Sequence, residues 1–376
     1  MKRFTIVAVF LIAASLVSAQ VLHRKKILMP DLPGYISLSC DLHTHTVFSD
    51  GMVWPDVRVY EAYNEGLDAI AITDHLEYQP HDKYIDTNHN DAYNIAFQSA
   101  KALGIILIAG VEITRRMPPG HFNAIFIQDV EKMDTAKYLD AMQEAKNQGG
   151  FLFWNHPGYQ HDDGIPVWYK EHDTIFDRGF MQGIEVANMY NYYPLAHQWA
   201  IEKNLTMLAN SDVHSPIGLS WNASLGQHRP FNIVFAKEKS QEGIKEALMN
   251  GRTIVWYEDK LIGKKEFLEQ FFLLSLKIKP LEDLPVKKSR SVSSYLQITN
   301  MSGFDYQIEF STGGELVTWG RETLEKETET AVFVRPAKGI KSGKHEIRLK
   351  IKVTNLIVAP DQCLETELVF QAEVVE

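Results

Sequence analysis

Cysteine is nearly missing from this sequence: Cys40 and Cys363 are the only two in 376 residues. They fall in different expected domains, so no disulfide is expected, and Cys40 reads as a small buried hydrophobe beside a site strand. No run of lysine or arginine stands out as a stripe for nucleic acid, and the formal net charge is -10. A basic face for nucleic acid is therefore not expected. A small anionic substrate stays open, because bound metal ions set the sign of the field inside a pocket. There is no internal repeat and no low-complexity tract. With 45% hydrophobic and 23% charged residues, a folded globular chain is expected rather than a disordered one.

No apolar run reaches the ~20 residues of a membrane span. The longest, Phe4–Val17, follows Lys2 and Arg3 and precedes Val17-Ser18-Ala19, a small-residue site of the kind a signal peptidase cuts. A cleavable leader over residues 1–19 is expected, with Gln20 as the mature N-terminus and the protein in the periplasm or outside the cell. No cysteine follows the leader, which argues against a lipoprotein, and no stable membrane insertion is expected after cleavage.

Beyond the leader, short apolar strands alternate with amphipathic helices. Strands are expected at Ile36–Cys40, Asp68–Thr73, Ile105–Ile113, Phe122–Ile127, Phe151–Trp154, Gly183–Ala187, Leu205–Asn210, Phe231–Phe235 and Thr253–Tyr257. Helices are expected from Trp54-Pro55 to Gly66, over Asp91–Leu103, Asp134–Gln148 and Gln241–Met249. This alternation implies an α/β fold with a parallel sheet covered by helices; periodicity does not decide whether the sheet closes. After Tyr257 a linker helix at Lys264–Leu274 leads into alternating β-branched segments: Tyr295–Thr299, Tyr306–Phe310, Ala331–Val334, Glu346–Val353 and Leu364–Val374. A small all-β sandwich is the natural reading. The expected division is a leader over 1–19, an α/β domain over 20–258, and the linker helix with a β-rich domain over 259–376.

The histidines and acids of the α/β part gather where strands end. His43 and His45 are two apart at the end of the first strand, and Asp212 and His214 repeat that spacing later; a strand's period of two turns each pair toward one face. Asp50 sits in Ser49-Asp50-Gly51, His75 ends Thr73-Asp74-His75, and Glu112 ends the third strand. His121 precedes the fourth strand, and His156 follows the fifth. In parallel α/β folds ligands bind beyond the carboxyl ends of strands, so these remote residues can meet at one rim. Any one of them alone would be unremarked: a half-buried histidine, or the first residue of a loop. Jointly, six imidazoles and three carboxylates without a thiolate suit zinc, manganese or iron, and are too many for one ion. Two or three divalent ions are expected.

The segments Asp41-Leu42-His43-Thr44-His45-Thr46, Ser49-Asp50-Gly51, Thr73-Asp74-His75, Gly110-Val111-Glu112, Asn155-His156-Pro157 and Ser211-Asp212-Val213-His214 resemble, in order, the motifs of the PHP (polymerase and histidinol phosphatase) superfamily. The resemblance spans roughly residues 35 to 258. It implies a distorted (β/α)7 PHP barrel and a trinuclear metal centre that hydrolyses phosphomonoesters or phosphodiesters. Carried over by position, His43, His45, Glu112 and Asp212 hold one ion; Glu112 bridges to a second with His121 and His156; Asp50, His75 and His214 hold a third. Further stretches, such as Met117-Pro118-Pro119-Gly120-His121 and Asn191-Tyr192-Tyr193-Pro194, are similar to the exported Sb-PDE-like phosphodiesterase branch, whose members carry a leader and a β-rich extension.

The resemblance makes a metal-activated hydroxide the expected nucleophile, attacking phosphorus in line. Asp212, His214 and Arg115 are the residues expected to act in catalysis; Arg115 and Arg116 follow the third strand closely enough to reach a phosphate, or form a solvated pair. His81 and His161 read as loop histidines, with leaving-group protonation as the alternative. Tyr192 and Tyr193 either flank the substrate or pack on the rim. The expected activity is hydrolysis of small phosphodiesters. A histidinol-phosphatase-like phosphomonoesterase is the alternative, and a non-catalytic metal-binding protein a more distant one. The natural substrate and oligomeric state are not written in the sequence, and bracing is the default role of the C-terminal domain.

Overall fold

The computed structural model describes residues 23–85, 88–279, 286–287, 294–310, 316–318, 320–337 and 339–375. The expected leader lies outside the described residues. The chain proper begins with β1 (Ile36–Asp41), β2 (Ala69–Ile72) and β3 (Ile106–Ile113), which pair in parallel in that order. Helices α1 (Pro55–Glu65) and α2 (Asp91–Leu103) make the two crossovers. Pro55 suits the first turn of α1, where its missing N–H costs nothing, and Gly66 ends it in the left-handed region at φ 89°. The buried face of α2 is Ala92, Ala96 and Ala100, one small residue per turn, which lets the helix lie close to its neighbours.

Strict strand–helix alternation then fails. β4 (Phe122–Ile125) runs antiparallel to both β3 and β5 (Phe151–Trp154). The loop between β3 and β4 is shorter than the dozen or so residues a parallel crossover needs, so the chain can only turn back. Parallel pairing resumes after α3 (Tyr138–Asn147), with β5 on β6 (Gly183–Asn188), and β6 on β8 (Thr206–Asn210). Two helices that the sequence reading did not foresee, α4 (Lys170–Asp177) and α5 (Pro194–Glu202), make those connections, and β7 (Asn191–Tyr192) folds back on β6 as a short hairpin.

The barrel closes where the end of β8 meets the end of β1. The His45 amide donates to the Val213 carbonyl at 3.1 Å, and the Asp212 amide to the His43 carbonyl at 2.9 Å. Deeper in, β9 (Phe231–Ala236) runs antiparallel to β1. Its Asn232 wedges the seam: Oδ1 accepts from the Ala209 amide at 3.0 Å, and Nδ2 donates to the Cys40 carbonyl at 3.0 Å. The interior is filled by fully buried residues such as Leu42, Ile108, Phe153, Leu208 and Val234, a packed core rather than a pore. The sheet that periodicity left open is thus closed, as the distorted barrel expected from the motifs.

Beyond it, β10 (Thr253–Tyr257) and β11 (Lys260–Gly263) form a hairpin, a short helix α6 (Ile217–Ser220) and α7 (Gln241–Met249) having preceded them. Helix α8 (Lys265–Leu274) then enters a β-sandwich. One sheet contains Leu276–Ile278, Ser294–Asn300, Glu329–Pro336 and Leu316–Val317; the other contains Tyr306–Phe310, Arg321–Leu324, Gly343–Ala359 and Gln362–Val375. Leu261 and Ile262 of β11 pair in parallel with Leu356 and Ile357, so one sheet runs from the barrel into the sandwich. The boundary expected at 258/259 falls in the tight turn between β10 and β11. Cys40 and Cys363 are both free. Among the described residues no helix is long and apolar enough to cross a membrane.

Candidate metal centre

All nine residues expected to bind metal come together at one end of the barrel. Their donor atoms form four overlapping groups: His45, Asp50, His75 and His214; His43, His45 and Asp212; His43, Glu112 and His156; His75, Glu112 and His121. Asp212 Oδ1 lies 3.2 Å from His43 Nε2 and 3.1 Å from His45 Nε2. Glu112 sits at the middle: Oε1 is 3.1 Å from His121 Nδ1 and 3.2 Å from His156 Nε2, while Oε2 is 2.5 Å from His75 Nδ1. Asp50 Oδ1 is 3.1 Å from His214 Nε2 and 3.4 Å from His75 Nε2. Glu112 is shared between two groups, as a bridging carboxylate would be.

The local backbone is shaped for this convergence. His156 (φ 25°) and Asp212 (φ 50°) hold positive φ, an uncommon state for residues with a Cβ and one that tends to persist where a site demands it. In Ser49-Asp50-Gly51 the glycine is needed for close approach: a Cβ there would fall 2.7 Å from the His45 carbonyl carbon and the Thr46 nitrogen. Asp74 anchors the same loop, accepting from the Thr46 amide at 2.6 Å and the Ser49 hydroxyl at 2.7 Å. Buried Arg229 ties Asp41 (2.9 Å) to Glu65, and Asp41 in turn accepts from the Ser211 hydroxyl and amide just before Asp212.

One functional residue escaped the sequence reading. Glu185, fully buried on β6, places Oε1 3.0 Å from His43 Nδ1 and accepts from Asn210 Nδ2 at 2.9 Å. Its Oε2 accepts from the His156 amide at 2.7 Å and from Asn188 Nδ2 at 2.9 Å. A carboxylate on the far nitrogen of a ligating imidazole fixes its tautomer and raises its basicity. The available signal was a lone acid at an alternate position of the apolar strand GIEVAN.

Charge is tightly balanced. Burial alone would push His43 down, but Asp212, Glu185 and Glu112 raise it to about 10. His75 is likewise buried yet raised to about 11, chiefly by Glu112 and Asp50. Burial, with His75 and His214 nearby, lowers His45 to about 3. Burial opposes ionisation of Glu112 and Asp212 too; the imidazoles of His75, His121 and His43 around the former, and of His43 and His45 around the latter, hold both well below the usual carboxylate range. The donor set fits divalent cations. Asp50 Oδ1 and Glu112 Oε2 are buried oxygens that no hydrogen bond satisfies, and imidazole nitrogens face them without aligning. Cations would replace the protons that hold the cluster together, so their uptake should release protons and weaken as pH falls.

The other sequence candidates divide. A cavity of about 530 Å³ opens over the centre, lined by Asp50, His75, His121, His156, Asp212 and His214 together with Tyr159, Gln160, His161, Asn188, Asn191 and Tyr193. Arg115, expected to act on phosphate, is not part of its lining: the guanidinium is held by Glu77 at 2.7 Å and by the Thr135 carbonyl. Arg116 and His81 are also outside the lining. Tyr192 turns away and meets His197 Nδ1 at 2.8 Å, whereas Tyr193 lines the cavity. His161 lines it as well, with a buried Nε2 that has no hydrogen-bond partner.

Fold and site together define an α/β barrel with a candidate multi-metal centre of histidines and carboxylates at one end. A PHP domain model matches residues 41–172, and an Ig-like domain model matches residues 278–369. A two-domain protein from Bacteroides vulgatus, containing a predicted PHP-like metal-dependent phosphoesterase, is 42% identical with a TM-score of 0.86; the match covers 93% of this chain and 99% of that one. An uncharacterized protein of Methanocaldococcus jannaschii is 28% identical over 189 residues, 47% of this chain and 81% of its own. The chain belongs to the PHP family of metal-dependent phosphoesterases, its barrel followed by an Ig-like β-sandwich.

Proposed function

We propose that this chain is an exported phosphodiesterase that hydrolyses small organic phosphodiesters. The observation that carries the choice of diester is the make-up of the cavity: beside six of the nine candidate ligands it is lined by tyrosines, amides, glycines, Met189 and His161, with no lysine or arginine. A phosphomonoester brings nearly two charges and is usually met by added cations such as a bidentate arginine. A diester brings one, which the metal centre can neutralise alone. Purified, metal-replete protein should show a higher kcat/KM for bis(p-nitrophenyl) phosphate than for p-nitrophenyl phosphate. A reversed preference sinks the assignment.

Bound divalent ions would supply a hydroxide near neutral pH and a Lewis acid for the phosphoryl oxygens. A site rich in imidazole and free of thiolate favours zinc, manganese or iron. The protein's own part is to hold the metal-binding side chains, with Glu185 steering His43 and His156, and to shape the cavity walls. His161 is our candidate for protonating the departing alkoxide, since the residue lines the cavity and its Nε2 has no hydrogen-bond partner. His161→Asn should slow methyl-type leaving groups by roughly a hundredfold and p-nitrophenolate by little, because a good leaving group needs no acid. Equal losses on both would remove His161 from that role.

The basic, apolar and small-residue order of Lys2 to Ala19 supports export. N-terminal sequencing of protein from an expressing Gram-negative host should begin at Gln20 and place the protein outside the cytoplasm. Protein retaining Met1 in the cytoplasm would argue the opposite.

A further inference from the structure

A second cavity, of about 520 Å³, lies between the barrel and the Ig-like domain. Its size falls in the range of about 300–1,000 Å³ usual for small-molecule sites. It is not isolated from the metal centre. In the β6–β7 hairpin, Asn188 and Asn191 line the metal cavity, Tyr190 lines the interdomain one, and Met189 lines both. Met189 holds the left-handed turn at φ 49°, so a single hairpin tip borders both cavities.

The walls of this second cavity are built and fixed. Tyr190 donates to the Ser220 carbonyl at 2.5 Å, lies 5.4 Å from the Trp221 ring, and accepts on its own carbonyl from the Tyr257 hydroxyl at 2.6 Å. His228 stacks on Trp256 at 3.6 Å, and Trp256 meets Phe304 of the sandwich edge-on at 4.8 Å. Gln307 and Asn355 of the sandwich both donate to Asp259 of the barrel hairpin, to its carboxylate and its carbonyl. The Ig-like domain therefore supplies one side of a rigid cleft. Tyr190 is nevertheless 55% exposed and Leu225 74% exposed, apolar surface left open at its mouth. Glu258, Asp259 and Asp305 outnumber the one lining ammonium, Lys326, which disfavours a second anion.

We propose that this interdomain cleft is a substrate subsite, binding the uncharged, ring-bearing arm of the diester whose phosphate sits at the metals. The shared chemistry is a ring face for the aromatic residues and hydrogen-bonding edges for the carboxylate and amide rim, as in a neutral sugar or a nucleoside. It rests on the phosphodiesterase reading, and it gives the Ig-like domain a part in specificity that bracing alone would not.

Two measurements on the full-length, metal-replete chain test it. The first compares kcat/KM for methyl p-nitrophenyl phosphate with that for the p-nitrophenyl diesters of thymidine 5′-phosphate and of glucose 6-phosphate. The second measures binding of thymidine and of methyl glucoside by calorimetry, which needs no turnover. The variants are Thr323→Phe, which fills the cleft from an exposed strand position, and Tyr190→Ala. The ring-bearing arm that belongs there should be preferred over methyl in the parent chain, with about a tenfold loss of that preference in both variants, appearing in KM. The same arm's free ring should bind the parent and bind the variants about tenfold more weakly. If neither ring compound binds, or if binding and preference ignore both variants, the subsite is wrong. If rings bind and the variants weaken them while no diester is hydrolysed, the subsite stands and the phosphodiesterase assignment falls.

Discussion

Glu112→Gln should reduce diester hydrolysis roughly a thousandfold, about 4 kcal/mol in the barrier, and strip most of the bound metal. The substitution keeps the shape of the side chain and removes one negative charge. That charge stands among His43, His75, His121 and His156, with separations from 2.5 to 3.5 Å. It is the one carboxylate shared between two candidate ion groups, so its loss removes a donor from both and leaves the imidazoles less attractive to any dication. An amide can still accept one contact through its oxygen; its NH2 group can only face other donors or a cation. Elemental analysis and turnover should fall together while the circular dichroism spectrum holds. Near-normal metal content with normal turnover would show that Glu112 is not a ligand, and would dismantle the bridged arrangement.

The candidate ligands could be picked out from sequence because most sit inside a short local pattern. His43-Thr44-His45 and Asp212-Val213-His214 advertise themselves by period two at strand ends, and Ser49-Asp50-Gly51 by its turn glycine, whose Cβ would strike the His45–Thr46 backbone just before it. The strands and the long amphipathic helices were legible for the same reason: Phe151–Trp154, Thr253–Tyr257, Asp91–Leu103 and Gln241–Met249 match the sequence reading residue for residue. What stayed hidden depends on partners distant in the chain. Nothing in Phe122–Ile125 says that it runs antiparallel to both neighbours; that follows from the length of the loop before it. Helices α4 and α5 escaped because Trp168, Trp199 and His172 pack around Trp154 as one aromatic cluster, a tertiary arrangement that leaves only a weak apolar stripe in sequence. Arg115 looked free beside the third strand, yet Glu77, across the rim, claims its guanidinium.

Glu185 marks the same limit and gives the second large expected effect. Glu185→Gln should weaken the apparent metal affinity roughly 10- to 100-fold, the usual cost of losing a hydrogen-bonding partner behind a ligand. The carboxylate accepts four contacts, two at each oxygen: His43 Nδ1 and Asn210 Nδ2 at one, and the His156 amide and Asn188 Nδ2 at the other. A glutamine has one accepting oxygen. If that oxygen faces His43, its NH2 group confronts the His156 amide and Asn188, donor against donor; if it flips, His43 loses the partner that fixes its tautomer. Either orientation disturbs a ligand, one of them His156, whose backbone is already held at positive φ. Because Glu185 itself belongs to none of the candidate ion groups, saturating metal should restore much of kcat, so the defect should appear as a shifted metal titration rather than a lost maximum. A wild-type metal titration would mean that His43 needs no such partner. A permanently lost maximum would mean that Glu185 is itself a ligand.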